Sequence, residues 1–144
     1  MLKPGDAAPD FAVRDTTLFK LLDKGQAVVF FFPKAFTPGC TKEVGGFRRD
    51  YEKYTRAGAE VIGVSSDTQE TNDKFAESLD APYPIVGDPS GGILKAYKVR
   101  WPVVGLARRV TYVIGRDRRV ELAFESQFDA EAHIAQSCAS LSGK

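Results

Sequence analysis

The sequence is poor in the side chains that bind metals or form disulfides, with two cysteines and one histidine among its 144 residues. These are too few for a four-ligand zinc site built from Cys and His alone, and too few for the disulfide framework of a small secreted protein. We therefore expect neither a metal nor another cofactor.

The chain also lacks a surplus of charge and a long apolar segment. Twenty Lys and Arg residues against nineteen Asp and Glu residues give a net charge of +1, whereas binding nucleic acids or anionic membranes requires concentrated basic side chains. The longest apolar run, residues 27–32, is far too short to span a bilayer, and the first residues contain no apolar core of signal-peptide length. We expect a cytoplasmic protein with no nucleic-acid or membrane partner.

What the sequence does contain is enough apolar side chain for one domain, residues 1–144, to bury its own core. Apolar runs predict strands at residues 28–32, 60–65, 85–86, 110–114 and 120–124. Helical spacing predicts helices at 38–56, from Asp67 past residue 79, from Asp88 to about 97, and at 130–141 after an Asp129 cap. This order predicts an α/β fold with a central mixed sheet flanked by helices, and the thioredoxin-like layout is one of several that fit.

Cys40 lies at the start of the first long predicted helix. Thr37 suits the N-cap, Pro38 the first helical position, and Cys40 then takes the third. Unpaired backbone N–H groups and the positive end of the helix dipole favour a thiolate there. Cys40 also shares an apolar stripe with Val44 and Phe47, so a buried structural cysteine is the alternative.

Residues 31–43, Phe-Phe-Pro-Lys-Ala-Phe-Thr-Pro-Gly-Cys-Thr-Lys-Glu, resemble the active-site segment of the peroxiredoxins, in the version of the bacterioferritin comigratory protein, or Q-type, branch. Residues 4–11, 64–67, 84–88, 97–99 and 109–114 resemble further family segments in the same order. The resemblance implies a thioredoxin-like fold. It also implies a thiol-dependent peroxidase that reduces hydrogen peroxide and organic hydroperoxides through a sulfenic acid on Cys40.

The same resemblance assigns roles to individual residues. Cys40 corresponds to the peroxidatic cysteine, Thr37 to the hydroxyl that orients peroxide, Pro33 to the residue that shields the pocket, and Arg109 to the cation beside the thiolate. Arg108 is the alternative if the register is off by one. Side chains alternate along a strand, so we expect only one of the two arginines to face Cys40, and either could instead be a solvated surface charge.

Glu43 also matches the Q-type pattern, which implies that it positions an arginine of the pocket. The equally simple interpretation is an acid in the first turn of a helix, where the dipole favours it. His133 falls off the apolar stripe of the last helix, which predicts a solvated side chain. Trp101 and Phe36 fit either the mouth of a substrate pocket or ordinary packing.

Gly45 stands where many Q-type members carry a resolving cysteine, which leaves Cys138 as the candidate resolving thiol within the chain. Cys138 lies on an apolar stripe with Ile134 and Leu141, which favours a structural role. The sulfenic acid would then be reduced by a small thiol or by a thioredoxin-like or glutaredoxin-like protein, and otherwise by Cys138. Gly45 and Gly46 together predict a helix turn that opens easily. Q-type relatives are often monomers and some one-cysteine relatives form dimers, so a monomer and a homodimer both stay open here.

Two other functions fit a chain of this kind. A thioredoxin-fold disulfide oxidoreductase would need a second thiol close to the first, and no Cys-x-x-Cys follows Cys40. A non-catalytic binding or chaperone domain would have no use for Pro33, Thr37, Cys40 and Arg109 together. Both alternatives are therefore less favoured than the peroxidase.

Overall fold

The computed structural model describes residues 1–142, so the last two residues of the predicted domain lie outside the described part of the chain. The strands are β1 (Ala12–Val13), β2 (Thr16–Thr17), β3 (Ala27–Phe31), β4 (Glu60–Ser65), β5 (Ile85–Gly87), β6 (Val110–Ile114) and β7 (Val120–Glu125). The helices are α1 (Leu18–Leu22), α2 (Pro38–Arg49), α3 (Tyr51–Arg56), α4 (Gln69–Ser78), α5 (Gly92–Ala96) and α6 (Ala130–Ala139). Among these elements, no helix is long and apolar enough to cross a membrane.

Five strands form the central sheet in the order β5-β4-β3-β6-β7, while β1 and β2 form a separate short hairpin. Strand β3 lies in the middle, parallel to β4 and antiparallel to β6. Its residues are all buried because side chains pack on both faces of the sheet, with Val28 and Phe30 on one face and Val29 and Phe31 on the other. A continuous apolar run is the pattern expected of such a strand. The predicted thioredoxin-like mixed sheet is confirmed.

The helix predicted over residues 38–56 is two helices. Helix α2 ends at Arg49 and α3 begins at Tyr51, since Asp50 has φ −101° and ψ 11°. The Asp50 carboxylate pairs with Arg49 (3.0 Å), and Asp is a poor residue for a helix interior because its side chain competes for local partners. Gly58 follows α3 with φ +78°, the left-handed conformation that commonly ends a helix.

The predicted start of α4 is wrong by one residue. Thr68 is the N-cap, and its hydroxyl accepts a hydrogen bond from the Thr71 N–H (3.2 Å). Asp67 instead accepts from the Ala35 N–H (2.8 Å) and from the Ser65 hydroxyl (2.7 Å). Asp67 thus connects the end of β4 to the loop that precedes α2.

The later elements follow the prediction more closely. Helix α5 is shorter than predicted, because Asp88 lies before it and accepts from the Leu94 N–H (2.9 Å) instead of starting the helix itself. Asp129 caps α6 as expected, accepting from the Ala132 N–H (3.0 Å). Helix α6 packs against α2 and against β6 and β7, which brings the C-terminal helix to the side of the sheet that carries Cys40.

Candidate active site

Cys40 lies in the first turn of α2 and is fully buried, in the cluster that includes Val44 and Phe47. The first helical hydrogen bond runs from the Thr41 N–H to the Thr37 carbonyl (2.9 Å). The N–H groups of Gly39 and Cys40 precede that bond, at the positive end of the helix. The helix start that the sequence predicted is therefore present, with Pro38 in its first turn.

Thr37 occupies the N-cap position with extended backbone (φ −94°, ψ 152°), but its hydroxyl does not cap the helix. The hydroxyl proton is donated to the Lys34 carbonyl (2.8 Å), in a turn where Phe36 takes a left-handed conformation (φ +63°). The expected side-chain cap is thus wrong, because a nearer carbonyl takes the proton. The lone pairs of Oγ1 stay available to accept a hydrogen bond.

Arg109 precedes β6 and is buried, with 8% of its surface exposed. Its Nη1 donates to Glu43 Oε1 (3.0 Å) and its Nε donates to the Gln127 carbonyl (3.1 Å). A Cβ atom placed on Gly39 would lie 3.1 Å from Nη2. Since Gly39 adjoins Cys40, the structure brings the Arg109 guanidinium to the start of α2.

Arg108 turns to the opposite face of the strand. Its Nε donates to Glu125 (2.8 Å), and its guanidinium lies over the Trp101 ring, 5.4 Å from the centroid. The alternation expected along the strand therefore directs Arg109, and not Arg108, towards the start of α2. Trp101 therefore contacts Arg108, on the opposite face of the strand from Arg109. The Phe36 ring packs near that of Phe75, with 5.1 Å between the ring centroids.

Pro33 lies two residues after the end of β3 and is half-buried, as is Thr37. Both residues belong to the segment between β3 and α2 that the Ala35 to Asp67 hydrogen bond ties to β4. The short connection from β3 to α2 therefore contains Pro33 and Thr37 and leads directly to Cys40. Arg109, which precedes β6, reaches the point where this connection meets α2.

Glu43 is completely buried one turn after Cys40, not exposed in the first turn. Burial raises the pKa of its carboxyl to about 8, against the opposing effect of the Arg109 charge. Its second oxygen, Oε2, lies 3.6 Å from His133 Nδ1. The contact with Arg109 fits the interpretation in which Glu43 positions an arginine.

The prediction of a solvated His133 is wrong, because this side chain is completely buried. Its Nδ1 lies 2.7 Å from Thr111 Oγ1 and its Nε2 lies 2.8 Å from the Ser126 carbonyl. Ile134 and Leu141 of the predicted stripe are buried and Cys138 is half-buried, and His133 and Ser137 are buried as well. A polar Thr111 inside an otherwise apolar strand was the available signal that a polar partner would face it.

Cys138 is half-buried in α6 and lies near the C-terminal end of α2, whereas Cys40 lies in the first turn of α2. It lines a cavity of about 330 Å³ together with Arg49, Asp50 and Lys53, at the other end of the helix. Nine residues of helix separate Cys40 from Arg49, which is about 13 Å. A disulfide needs Cα atoms within about 7 Å. The structure therefore does not bring the two thiols together.

The adjacent glycines of α2, Gly45 and Gly46, have different surroundings. A Cβ on Gly45 would meet no atom within 4 Å, whereas one on Gly46 would lie 2.1 Å from Ile134 Cδ1. Both line a groove of about 540 Å³ between α2 and the start of α6, which we call the α2–α6 groove; its walls also include Gly39, Lys42, Arg49, Arg109 and residues 127–131. Of these two positions, packing thus requires glycine at 46 and not at 45.

Comparison with known proteins identifies the family. The model of the AhpC/TSA family matches residues 4–123. The chain belongs to this family. It is 35% identical over 148 residues to a putative peroxiredoxin of Mycobacterium tuberculosis, covering 97% of this chain and 96% of that protein. It is 39% identical over 138 residues to the chloroplastic peroxiredoxin Q of Arabidopsis thaliana, covering 92% of this chain but 64% of that protein.

Solved structures give the same result. The structure of peroxidoxin BcpB from Mycobacterium tuberculosis aligns with a TM-score of 0.91 and 35% identity, over 98% of this chain and 97% of that one. Peroxiredoxin Q from Xanthomonas campestris aligns with a TM-score of 0.74 and 26% identity, over 82% and 78%. The prediction of a Q-type peroxiredoxin with glycine in place of the usual resolving cysteine is confirmed.

Proposed function

We propose that this protein is a thiol-dependent peroxidase that reduces hydrogen peroxide and organic hydroperoxides, with Cys40 as the nucleophile. The observation that carries the proposal is the buried Arg109 guanidinium, which lies against Gly39 in the first turn of α2, next to Cys40. A fixed cation and free backbone N–H groups at one point favour the negative charge that peroxide cleavage produces.

The reaction is a displacement at oxygen. The Cys40 thiolate attacks one peroxide oxygen, the O–O bond breaks, and the second oxygen leaves with the electron pair and then takes a proton. Cys40 becomes a sulfenic acid, and the peroxide becomes water or an alcohol. Arg109 and the first N–H groups of α2 stabilise the charge on the leaving oxygen.

Activation of the peroxide carries most of the rate. A more acidic thiol supplies more thiolate, but its thiolate is a weaker nucleophile, so the two effects largely cancel. Thr37 holds the substrate by accepting a hydrogen bond from the peroxide O–H, because its own proton goes to the Lys34 carbonyl. Pro33 shields the pocket from water, and the α2–α6 groove provides room for the organic part of a hydroperoxide.

The separation of the two thiols favours recycling by an external reductant. We propose that the Cys40 sulfenic acid is reduced by a small thiol or by a thioredoxin-like or glutaredoxin-like protein, and that Cys138 is not needed. Both cysteines are free thiols, as a reducing compartment such as the cytoplasm would keep them.

Two arginine variants test the proposal. Arg109→Ala should lower the second-order rate constant with hydrogen peroxide by at least about 10²–10³-fold, the usual effect of removing one hydrogen-bond donor from a developing anion. Arg108→Ala is the matched control, because it removes a neighbouring guanidinium that pairs with Glu125 on the opposite face, and its rate should stay close to that of the wild type. An Arg109→Ala enzyme as fast as the control would refute the proposal.

A further inference from the structure

Arg109 lies directly before β6, where the ladder between β6 and β7 ends with the pair Val110 and Glu125. Beyond this pair, the Ser126 N–H donates to the Arg109 carbonyl (3.2 Å). The Arg109 main-chain N–H donates not to a strand carbonyl but to the side-chain oxygen of Gln127, Oε1 (3.1 Å). The Gln127 side chain therefore extends the pairing of the two strands to the residue that carries the guanidinium.

The main chain of the same glutamine holds the guanidinium itself. The Gln127 carbonyl accepts from Arg109 Nε (3.1 Å), while Glu43 Oε1 accepts from Nη1 (3.0 Å). Within residues 1–142 the third nitrogen, Nη2, makes no hydrogen bond, and a Cβ on Gly39 would lie 3.1 Å from it. Because the guanidinium is planar, the two contacts fix its plane and leave Nη2 as the donor that faces the first turn of α2.

The orientation of the Gln127 amide follows from its two partners. An N–H group needs an acceptor, so the amide atom next to the Arg109 N–H is the oxygen. The amide nitrogen donates to Glu125 Oε2 (2.7 Å), and a carboxylate only accepts. A glutamate in this position would set two carboxylates against each other, and an apolar side chain would make neither contact. The two contacts together require an amide.

The charges around this amide are already balanced. Glu125 Oε2 also accepts from Arg108 Nε (2.8 Å), so the charge of Glu125 is paired with Arg108 on the face opposite Arg109. Since Gln127 is neutral, it holds Arg109 without adding a negative charge beside it. Arg108→Ala leaves both amide contacts of Gln127 in place, which is consistent with its use as a control.

The segment that carries Gln127 is anchored from α6. The Ser126 carbonyl lies 2.8 Å from His133 Nε2, and a carbonyl only accepts, so Nε2 donates. Gln127 is half-buried and lines the α2–α6 groove together with Gly39 and Arg109. Its contacts with Arg109 therefore lie beside the groove, at the end where α2 begins.

We propose that Gln127 is a positioning residue for the Cys40 site: its amide and its main-chain carbonyl hold Arg109 so that Nη2 faces the place where the peroxide binds. The functional half of this inference rests on the proposed peroxidase activity. Without the amide, the Arg109 main chain is released at the end of the ladder and the guanidinium is no longer fixed. A misplacement of about 1 Å in a catalytic group can cost about 10²-fold in rate.

Gln127→Met keeps the length of the side chain and removes both amide contacts. Gln69→Met is the matched control, because the Gln69 amide accepts from the Gly87 main-chain N–H (2.8 Å) and donates to the Ile85 carbonyl (2.8 Å) at β5. Gln127→Met should lower the second-order rate constant with hydrogen peroxide by at least about tenfold, whereas Gln69→Met should stay close to the wild type. Equal rates in the two variants would overturn the proposal.

A double-variant cycle distinguishes positioning from a general loss of structure. If Gln127 acts through Arg109, Gln127→Met should change the rate constant of the Arg109→Ala enzyme by less than about twofold. A tenfold loss in both backgrounds would mean that Gln127 acts independently of the guanidinium, and the positioning role would be refuted.

Amide hydrogen exchange followed by NMR tests the geometric half without any substrate. The Arg109 main-chain N–H should exchange about fivefold faster in Gln127→Met than in the wild type, because it loses its hydrogen bond, while the amides inside β6 should keep their rates. An unchanged Arg109 rate, or an equal acceleration throughout β6, would overturn the inference alone. A protein that shows the local acceleration but consumes no peroxide would overturn the proposed function and support the contact between Gln127 and Arg109.

Discussion

Replacing Gly45 with Ala should stabilise the protein, whereas the same change at Gly46 should not. A helical Gly costs about 0.8–1 kcal/mol relative to Ala. A Cβ at Gly45 meets no atom within 4 Å, while one at Gly46 would lie 2.1 Å from Ile134 Cδ1 and 3.3 Å from Glu131 Oε2. Gly45→Ala therefore receives the whole gain in helix propensity.

The expected sizes follow from the two environments. Gly45→Ala should raise the free energy of unfolding by about 1 kcal/mol, which for a chain of this length raises Tm by roughly 3 °C. At Gly46 the same gain is opposed by an overpacking cost of about 1–3 kcal/mol. The net change for Gly46→Ala should lie between zero and a loss of about 2 kcal/mol.

Thermal and urea unfolding of the reduced protein would measure both variants. Ile134→Val removes the Cδ1 atom that blocks Gly46, so the double variant Gly46→Ala with Ile134→Val should be more stable than the sum of the single changes by about 1 kcal/mol. If Gly46→Ala raised Tm as much as Gly45→Ala, or if the pair showed no coupling, the packing argument for these glycines would be refuted.

Two further predictions concern buried Glu43 and Cys138. The raised pKa of Glu43, about 8 against an ordinary 4.5, means that the folded state binds more protons between these values, so its stabilising effect is lost as pH rises towards 8. The lowered pKa of His133 makes stability rise with pH, but this effect lies mainly below its ordinary value of 6.5. Between pH 6.5 and 8, urea unfolding of the wild type should therefore show a loss of about 2 kcal/mol in the free energy of unfolding, and Glu43→Gln should lack this loss. Equal dependence of the unfolding free energy on pH in the two proteins would contradict this. Cys138→Ser should reduce peroxide with an external thiol as fast as the wild type does. After one equivalent of peroxide, non-reducing mass spectrometry of the wild type should find no disulfide between Cys40 and Cys138. Such a disulfide would make Cys138 the resolving thiol.

The sheet and the start of α2 were predictable because they depend on short-range patterns. A continuous apolar run identifies β3 as a strand covered on both faces. Pro38, which suits the first helical position, places the start of α2 directly after Thr37. The alternation of side chains along a strand predicted that only one of Arg108 and Arg109 faces Cys40, and the family resemblance assigned Arg109. These inferences need no knowledge of what lies across the core.

The errors have two sources, a partner distant in sequence and local contacts that periodicity does not register. His133 was expected in solvent because helical spacing alone does not say which of two adjacent faces of α6 meets the sheet, and its partner Thr111 is 22 residues away in sequence. The Thr37 hydroxyl was expected to cap α2, but the turn at Phe36 brings the Lys34 carbonyl within 2.8 Å. The break at Asp50 reflects an Arg49 pairing that periodicity does not register.

The central claim is that Cys40 is the thiol that peroxide oxidises, and trapping its sulfenic acid tests this most directly. The protein would be treated with one equivalent of hydrogen peroxide in the presence of dimedone, which reacts with sulfenic acids, and its peptides analysed by mass spectrometry. We predict a single adduct on the peptide that contains Cys40 in both the wild type and Cys138→Ser, and none in Cys40→Ser. An adduct on Cys138 with Cys40 unmodified would contradict the account.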